Sequence, residues 1–553
     1  MFSAQPTGTE SIKTPVVIKN ESAIIPIAVT LICLAPFLNK AFHMDEPLFV
    51  WTARQIQTKP ADFYGFSVNW YGTTMPMSEV TENPPMAGYY IAALRRVFGE
   101  SEIALHAGFL IPAVAAAAGT YYLAAQLCQQ ATLASLASVL TPAFLVSGSS
   151  AMCDVMMLAF WVWAAAFWVR GTKTNNNPDL LFAAVLITFC ALTKYFGAAL
   201  IVLLFAYSIF QKRRVGVWVL FLLIPAVFLG GYQWLTHTLY GRGLLSDAAS
   251  YAIGYRWTEG ENLFSKTLIG LAFVGGSITT ALFYSPLVWS RRALVYGVIV
   301  TILSVFAVSI MQKAGVSPIR YAGSIRWGFV VQLCLMVVGG GSILCLGIMD
   351  FHRHRDADSL LLLLWVFGTF VFACFINWAV SVRSVLPIIP AAGILVARRV
   401  SRYEKTVTLW PLIPAAIVAL AVCWADYTLA GTARTAAEKI NRRFEKYPGR
   451  VWFQGHWGFQ YYMEAKGYQA IDFDRPKPAQ GDILIVPSNN SFLRQVPAEY
   501  AGMIQSLQLK PCRWLATMTG GDAGFYSDEW GAIPYALGPV RAEKYSVFLV
   551  KAQ

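Results

Sequence analysis

Charged side chains are scarce in this chain, and several of them sit where they can act on a substrate. Asp45 and Glu46 follow the first apolar run, in Phe42-His43-Met44-Asp45-Glu46-Pro47. A carboxylate there can accept a proton from an attacking hydroxyl or amine. The same residues suit a helix start, because Asp is a good N-cap and Pro is common at a first helical position. The local sequence leaves both roles open. Asp154 lies about one turn into the fourth apolar run, where an ionisable side chain is by default a functional candidate, to orient a cation or bind substrate. Lys194 and Arg383 adjoin the short runs 179–193, 197–210 and 386–398, which rise only about 20–22 Å as helices. Cations at such a depth are tolerated where they line a cavity, and two of them suit an anionic group such as a lipid phosphate. Glu82, in Glu82-Asn83-Pro84-Pro85, can face the same cavity as Asp45, and with His237 or His43 it offers a place for a divalent cation.

The elements that hold these residues are apolar. Of 553 residues, 56% are hydrophobic and 13% charged, with a mean hydropathy of +0.51. Soluble proteins carry about 25% charged residues, so the solvent expected here is a lipid bilayer. The net charge of +13 resides in short basic clusters between apolar runs. Topology explains such clusters, and no nucleic-acid partner is expected. Candidate spans are 22–40, 105–127, 131–149, 151–169, 179–193, 197–210, 215–236, 266–289, 293–311, 326–349, 359–380, 386–398 and 408–428, about thirteen. The clusters at Arg170/Lys173, Lys212–Arg214, Arg291/Arg292, His352–Arg355 and Arg398/Arg399/Arg402 each follow an even-numbered span, which puts them all in the cytoplasm.

The expected organisation is a cytoplasmic segment 1–21, a membrane domain 22–428 with an outward loop 41–104, and an outward soluble α/β domain 429–553. In the last part Val451–Phe453, Asp482–Val486 and Ser546–Val550 read as strands, and 433–446 and 494–508 as helices.

Taken in order, these residues resemble the GT-C membrane glycosyltransferases, in the branch named after dolichyl-phosphate-mannose protein mannosyltransferases, which includes aminoarabinose transferases. The shared features are the acidic pair after the first span, the Pro-Pro motif, and an Asp opening the fourth span. Thr193-Lys194-Tyr195-Phe196-Gly197 between two short spans and the late Arg383-Ser384-Val385-Leu386-Pro387 complete the set, over roughly residues 22–400. The resemblance implies sugar transfer from a polyprenyl-phosphate donor to a membrane-linked, glycan or protein acceptor, outside a bacterial cytoplasmic membrane, in cell-envelope glycosylation. It makes Asp45 the base, with Glu46 and Asp154 beside it in catalysis. Lys194 and Arg383 become donor-phosphate contacts, and Glu82 an active-site carboxylate or metal ligand. Tyr195, Asn83 and Tyr89 are further candidates for substrate binding, and His237 a candidate metal partner of Glu82. A secondary transporter or flippase also fits the composition, but such proteins tend to show internal repeats with broken helices near the midplane.

Overall fold

The computed structural model describes residues 22–256, 263–311, 320–321, 324–401, 403, 408–475, 478–519 and 522–551. The segment 1–21 and Arg402 lie outside them. The first run forms α1 (Ile24–Leu34). Two helices, α2 (Glu46–Thr58) and α3 (Met86–Phe98), bracket the first loop, which carries the hairpin of β1 (Ser67–Asn69) and β2 (Thr74–Pro76). The bundle continues with α4 (Glu102–Leu127), α5 (Ala131–Val139), α6 (Pro142–Gly148), α7 (Cys153–Thr174), α8 (Asn177–Thr193), α9 (Ala199–Lys212) and α10 (Trp218–Tyr240). Beyond it come α11 (Leu244–Arg256), α12 (Leu263–Ser277), α13 (Thr279–Val288), α14 (Arg291–Met311), α15 (Trp327–His354), α16 (Ala357–Val371), α17 (Val382–Val385), α18 (Ile388–Val400) and α19 (Leu412–Phe444).

Among the described residues, seven helices are long and apolar enough to cross a membrane, or nine if each of two bent pairs is one span. This is fewer than the thirteen runs read from the sequence, because several runs are broken or short. The run 131–149 breaks into α5 and α6, bent by 69°, and 266–289 into α12 and α13, bent by 88°. At the first break Thr141 accepts a bond from the Phe144 N–H, and Pro142 opens α6 without a donor to lose.

Beyond the bundle, α20 (Trp457–Ala465) packs with a five-stranded sheet: β3 (Val451–Phe453), β4 (Gln469–Ala470), β5 (Ile483–Pro487), β6 (Ala501–Leu509) and β7 (Glu543–Val550). The sheet order is β4-β3-β5-β7-β6, with β3 parallel to β4 and β5, and β7 antiparallel to β5 and β6. The helix expected over 494–508 is therefore corrected: 494–500 is irregular and 501–509 is strand β6. Its Met, Leu and Gln residues favour helix locally. Pro497 and Gly502 weaken that preference, and pairing with β7 decides the outcome. The helix expected over 433–446 is the end of α19, which passes position 428 without a break.

The C-terminal domain is seated on the first loop. The Tyr462 hydroxyl accepts from the Phe42 N–H at 2.7 Å, and Asn69 donates to the Ile471 carbonyl at 2.8 Å. Gly458 lies so close to the Phe42 carbonyl that any β-carbon there would overlap it.

Candidate active site

A chamber of about 1020 Å³ opens between the bundle and the C-terminal domain. Its apolar part is lined by Leu203, Ala206, Leu364, Trp365 and Phe372; Asp45, Lys194 and Arg383 line it as well. Trp161 stacks on Phe196 at 5.3 Å and meets Trp365 at 5.7 Å, so packed rings fix the wall beneath Lys194.

Each charged group is held by a local device. Lys194 ends α8 in extended backbone, and a 3₁₀ turn over Tyr195–Ala198 leads straight into α9. That tight reversal needs Gly197, where a β-carbon would lie 2.5 Å from the Cys190 backbone. Arg383 sits in the single turn α17, whose start is a capping box between Ser381 and Ser384. Asp154 stands in the first turn of α7. It receives Lys194 Nζ at 2.6 Å on one carboxylate oxygen and Arg383 Nε at 2.8 Å on the other. With 1% exposure Asp154 does not line the chamber, so it positions both cations.

Asp45 occupies the N-cap position of α2, but its side chain makes no capping bond. It reaches Arg383 Nη1 at 2.5 Å and stays 32% exposed toward the chamber. Glu46 is placed differently from a group that meets substrate. It is fully buried, accepts the N–H groups of His43 and Ala151 at 2.5 Å each, and has His106 Nε2 at 3.4 Å. Glu46 thus ties the turn before α2 to the start of α7.

Of the remaining expected contacts, Asn83 and Tyr195 line the chamber, and Tyr195 shares a hydrogen bond of 3.1 Å with Tyr232. Tyr89 does not. It is exposed, and its hydroxyl donates to the Pro60 carbonyl at 2.5 Å, which fixes the first loop. Glu82 lines the chamber, and burial pushes its carboxyl up to about 7, with Arg242 opposing and Asp247 adding to the rise. The expected pairing of Glu82 with His237 is corrected. Along α10 Tyr232 and Thr236 are buried, while His237, one residue on and about 100° around the helix, is exposed and off the chamber. Among the described residues no three His, Cys, Asp or Glu side chains form a metal-holding group.

Two features escaped the sequence reading. The first is an ion pair between Lys40 and Asp426 at 2.7 Å, both fully buried. Ser150 and Tyr526 complete it at 2.8 and 2.9 Å. Asp426 lies inside the last apolar run, and the rule that singled out Asp154 applies to it equally. The second is the loop 523–530, which places Tyr526, Ser527, Glu529 and Trp530 on the chamber. It is fastened next to Arg383, since the Val382 N–H donates to the Phe525 carbonyl at 2.9 Å and the Val380 N–H to Asp528 at 2.9 Å.

Comparison with known proteins places these features. Residues 82–232 match the family described as dolichyl-phosphate-mannose-protein mannosyltransferase, a narrower stretch than the motifs cover. It includes Glu82, Asp154 and Lys194 but neither Asp45 nor Arg383. No curated protein matches the chain in sequence. In structure the chain is similar to ArnT from Cupriavidus metallidurans bound to undecaprenyl phosphate. The TM-score is 0.53 at 12% identity, covering 84% of this chain and 93% of that one. The Archaeoglobus fulgidus oligosaccharyltransferase tethered to an acceptor peptide aligns over 82% of this chain and 64% of that one, with 13% identity and a TM-score of 0.46.

Proposed function

Starting from a chain with the GT-C membrane glycosyltransferase fold, we propose that it moves a sugar from a polyprenyl-phosphate donor to an acceptor hydroxyl or amine, with inversion, at the outer face of a bacterial cytoplasmic membrane. One observation carries this reading: a partly exposed carboxylate, Asp45, paired with Arg383, and two cations anchored by Asp154, Lys194 and Arg383, converge on one chamber with apolar helices in its walls. A polyprenyl chain suits the apolar part. The ArnT structure holds undecaprenyl phosphate, which supports a lipid-phosphate donor here.

The chemistry follows from the pairing. Asp154 leaves Lys194 with unused N–H donors and Arg383 with Nη2. A donor phosphate takes these and competes with Asp45 for Nη1. Asp45, released from its cation, accepts the acceptor proton while the acceptor atom attacks the anomeric carbon and the bond to the phosphate oxygen breaks. The charge the phosphate gains on leaving equals the charge Asp45 loses on protonation. In a chamber with low-dielectric walls the fixed cations stabilise that phosphate more than they would in water. Burial and the hydrogen bonds around Glu46 keep it out of the reaction; it sets the backbone that aims Asp45.

Purified protein incubated with radiolabelled polyprenyl-phosphate sugars and a membrane extract is expected to move label from lipid to product, with the anomeric configuration reversed by NMR. Absence of transfer from every donor, with substrate flux in proteoliposomes, would replace this reading with transport.

A further inference from the structure

Among the described residues, six non-glycine residues adopt positive φ. Asn175, Arg213 and Arg355 simply close α7, α9 and α15 as left-handed caps. Of the other three, Met44 at φ 48° directly precedes Asp45, and Trp457 and Phe492 stand at 60° and 51°. Bulky aromatic residues avoid this region unless their surroundings impose it. Both Trp457 and Phe492 line the chamber, from the C-terminal domain.

Each belongs to an aromatic pair. Trp457 meets Trp530 with centroids 5.6 Å apart at 61°, and Phe492 meets Tyr71 at 5.0 Å and 70°. Edge-to-face contact uses one face of one ring in each pair and leaves the other faces out of that contact. Beside these rings the chamber carries the carboxylates Glu82 and Glu529. Tyr71 connects them to the reacting centre: burial, then the nearby carboxylates of Glu82 and Asp45, push its phenol up to about 12. Among the described residues the only Lys or Arg side chains lining the chamber are Lys194 and Arg383, both held by Asp154. The C-terminal domain adds an acid to the lining and no base.

Flat apolar faces next to hydrogen-bond acceptors are what a sugar ring needs, since it offers a C–H face and a rim of hydroxyl donors. An anionic group is disfavoured by Glu82 and Glu529. We infer that the C-terminal domain builds an acceptor subsite for an uncharged sugar ring, stacked on Trp457 and Trp530 and bonded through its hydroxyls to Glu82 and Glu529. The assignment of this ring to the acceptor rests on the transferase reading; the binding of a ring does not.

The test uses saturation-transfer NMR on the full-length protein in nanodiscs, with methyl glycosides of glucose, mannose, galactose and N-acetylglucosamine and with glucose 6-phosphate. At least one glycoside should receive saturation on its C–H face and bind at least tenfold more tightly than glucose 6-phosphate. Trp457→Ala and Trp530→Ala should each weaken it at least tenfold, and Trp457→Phe should restore most of the affinity. Glu529→Lys, at an exposed position, should turn the preference toward glucose 6-phosphate with the far-UV circular dichroism unchanged. No glycoside binding to the wild type, or an unchanged charge preference in Glu529→Lys, overturns the subsite. Binding that survives saturation with polyprenyl-phosphate mannose supports the acceptor. Displacement by that lipid, but not by bare polyprenyl phosphate, gives the ring to the donor and overturns the acceptor assignment. Trp457-dependent binding in a protein that transfers no sugar would leave the subsite standing while the transferase reading fails.

Discussion

Asp45 and Asp154 flank the same guanidinium, yet the structure gives them opposite consequences when neutralised. Asp154 is buried beneath two cations, and removing one partner of such a group costs about 3–5 kcal/mol. Asp154→Asn should therefore lower the thermal midpoint in detergent and abolish transfer together. Asp45 is one-third exposed and caps nothing. Asp45→Asn should leave the midpoint nearly unchanged and bind polyprenyl phosphate at least as well, with Arg383 released, while transfer falls about 10²–10⁴-fold. Wild-type-like initial rates in Asp45→Asn would sink the base assignment. Glu82 adds a pH dependence. With its carboxyl raised to about 7, it is neutral below that value and anionic above it, so affinity for a lipid phosphate should decline as pH rises through about 7. Binding isotherms at about pH 6 and about pH 8 should show this slope in the wild type and a flatter one in Glu82→Gln; equal slopes would exclude Glu82 from the phosphate's surroundings. Asp154 could be picked out from sequence because charge is costly in an apolar run, Lys194 and Arg383 because the runs beside them are short, and Asp45 by its place after the first run. Their mutual pairing could not, since Asp154 and Arg383 are 229 positions apart.

The tight turn expected at Lys194–Gly197 is found over Tyr195–Ala198, but the run after it is not short, since Tyr195–Lys212 is long and apolar enough to cross a membrane. The structure adds the reason the turn is so tight. Gly197→Val would press a side chain against the Cys190 backbone and tilt Lys194 off Asp154. Lipid-phosphate affinity should fall at least about tenfold (1.4 kcal/mol) while far-UV circular dichroism stays unchanged. Unchanged affinity would show that the turn can shift without moving Lys194. Ser384 closes the capping box that starts α17 and so aims Arg383. What stayed hidden was non-local. The helix expected over 494–508 failed because the partner that makes β6 a strand, β7, comes more than thirty residues later. The break of 88° between α12 and α13 follows Gly275-Gly276-Ser277, a signal passed over in the single unbroken run expected over 266–289.

The chamber belongs to the assembled chain, because the bundle, the first loop and the C-terminal domain each supply part of its wall. The basic-cluster reading places that domain outside. In a background lacking the nine cysteines, Glu499→Cys should react with a membrane-impermeant maleimide added to whole cells, and Asn176→Cys should react only after permeabilisation. The reverse pattern would invert the topology. The C-terminal sheet also has an unusual order of completion. Strand β7 lies between β5 and β6, so neither of those two is joined to the other until β7 arrives. A ribosome adding about 5–20 residues per second needs about 5–20 s to pass from the end of α19 to the end of β7. Through that interval the bundle already holds Lys194 and Arg383 but lacks Trp457, Phe492 and Trp530 in their final places. A chain that ends before β7 therefore leaves β5 and β6 unjoined and the C-terminal wall of the chamber incomplete.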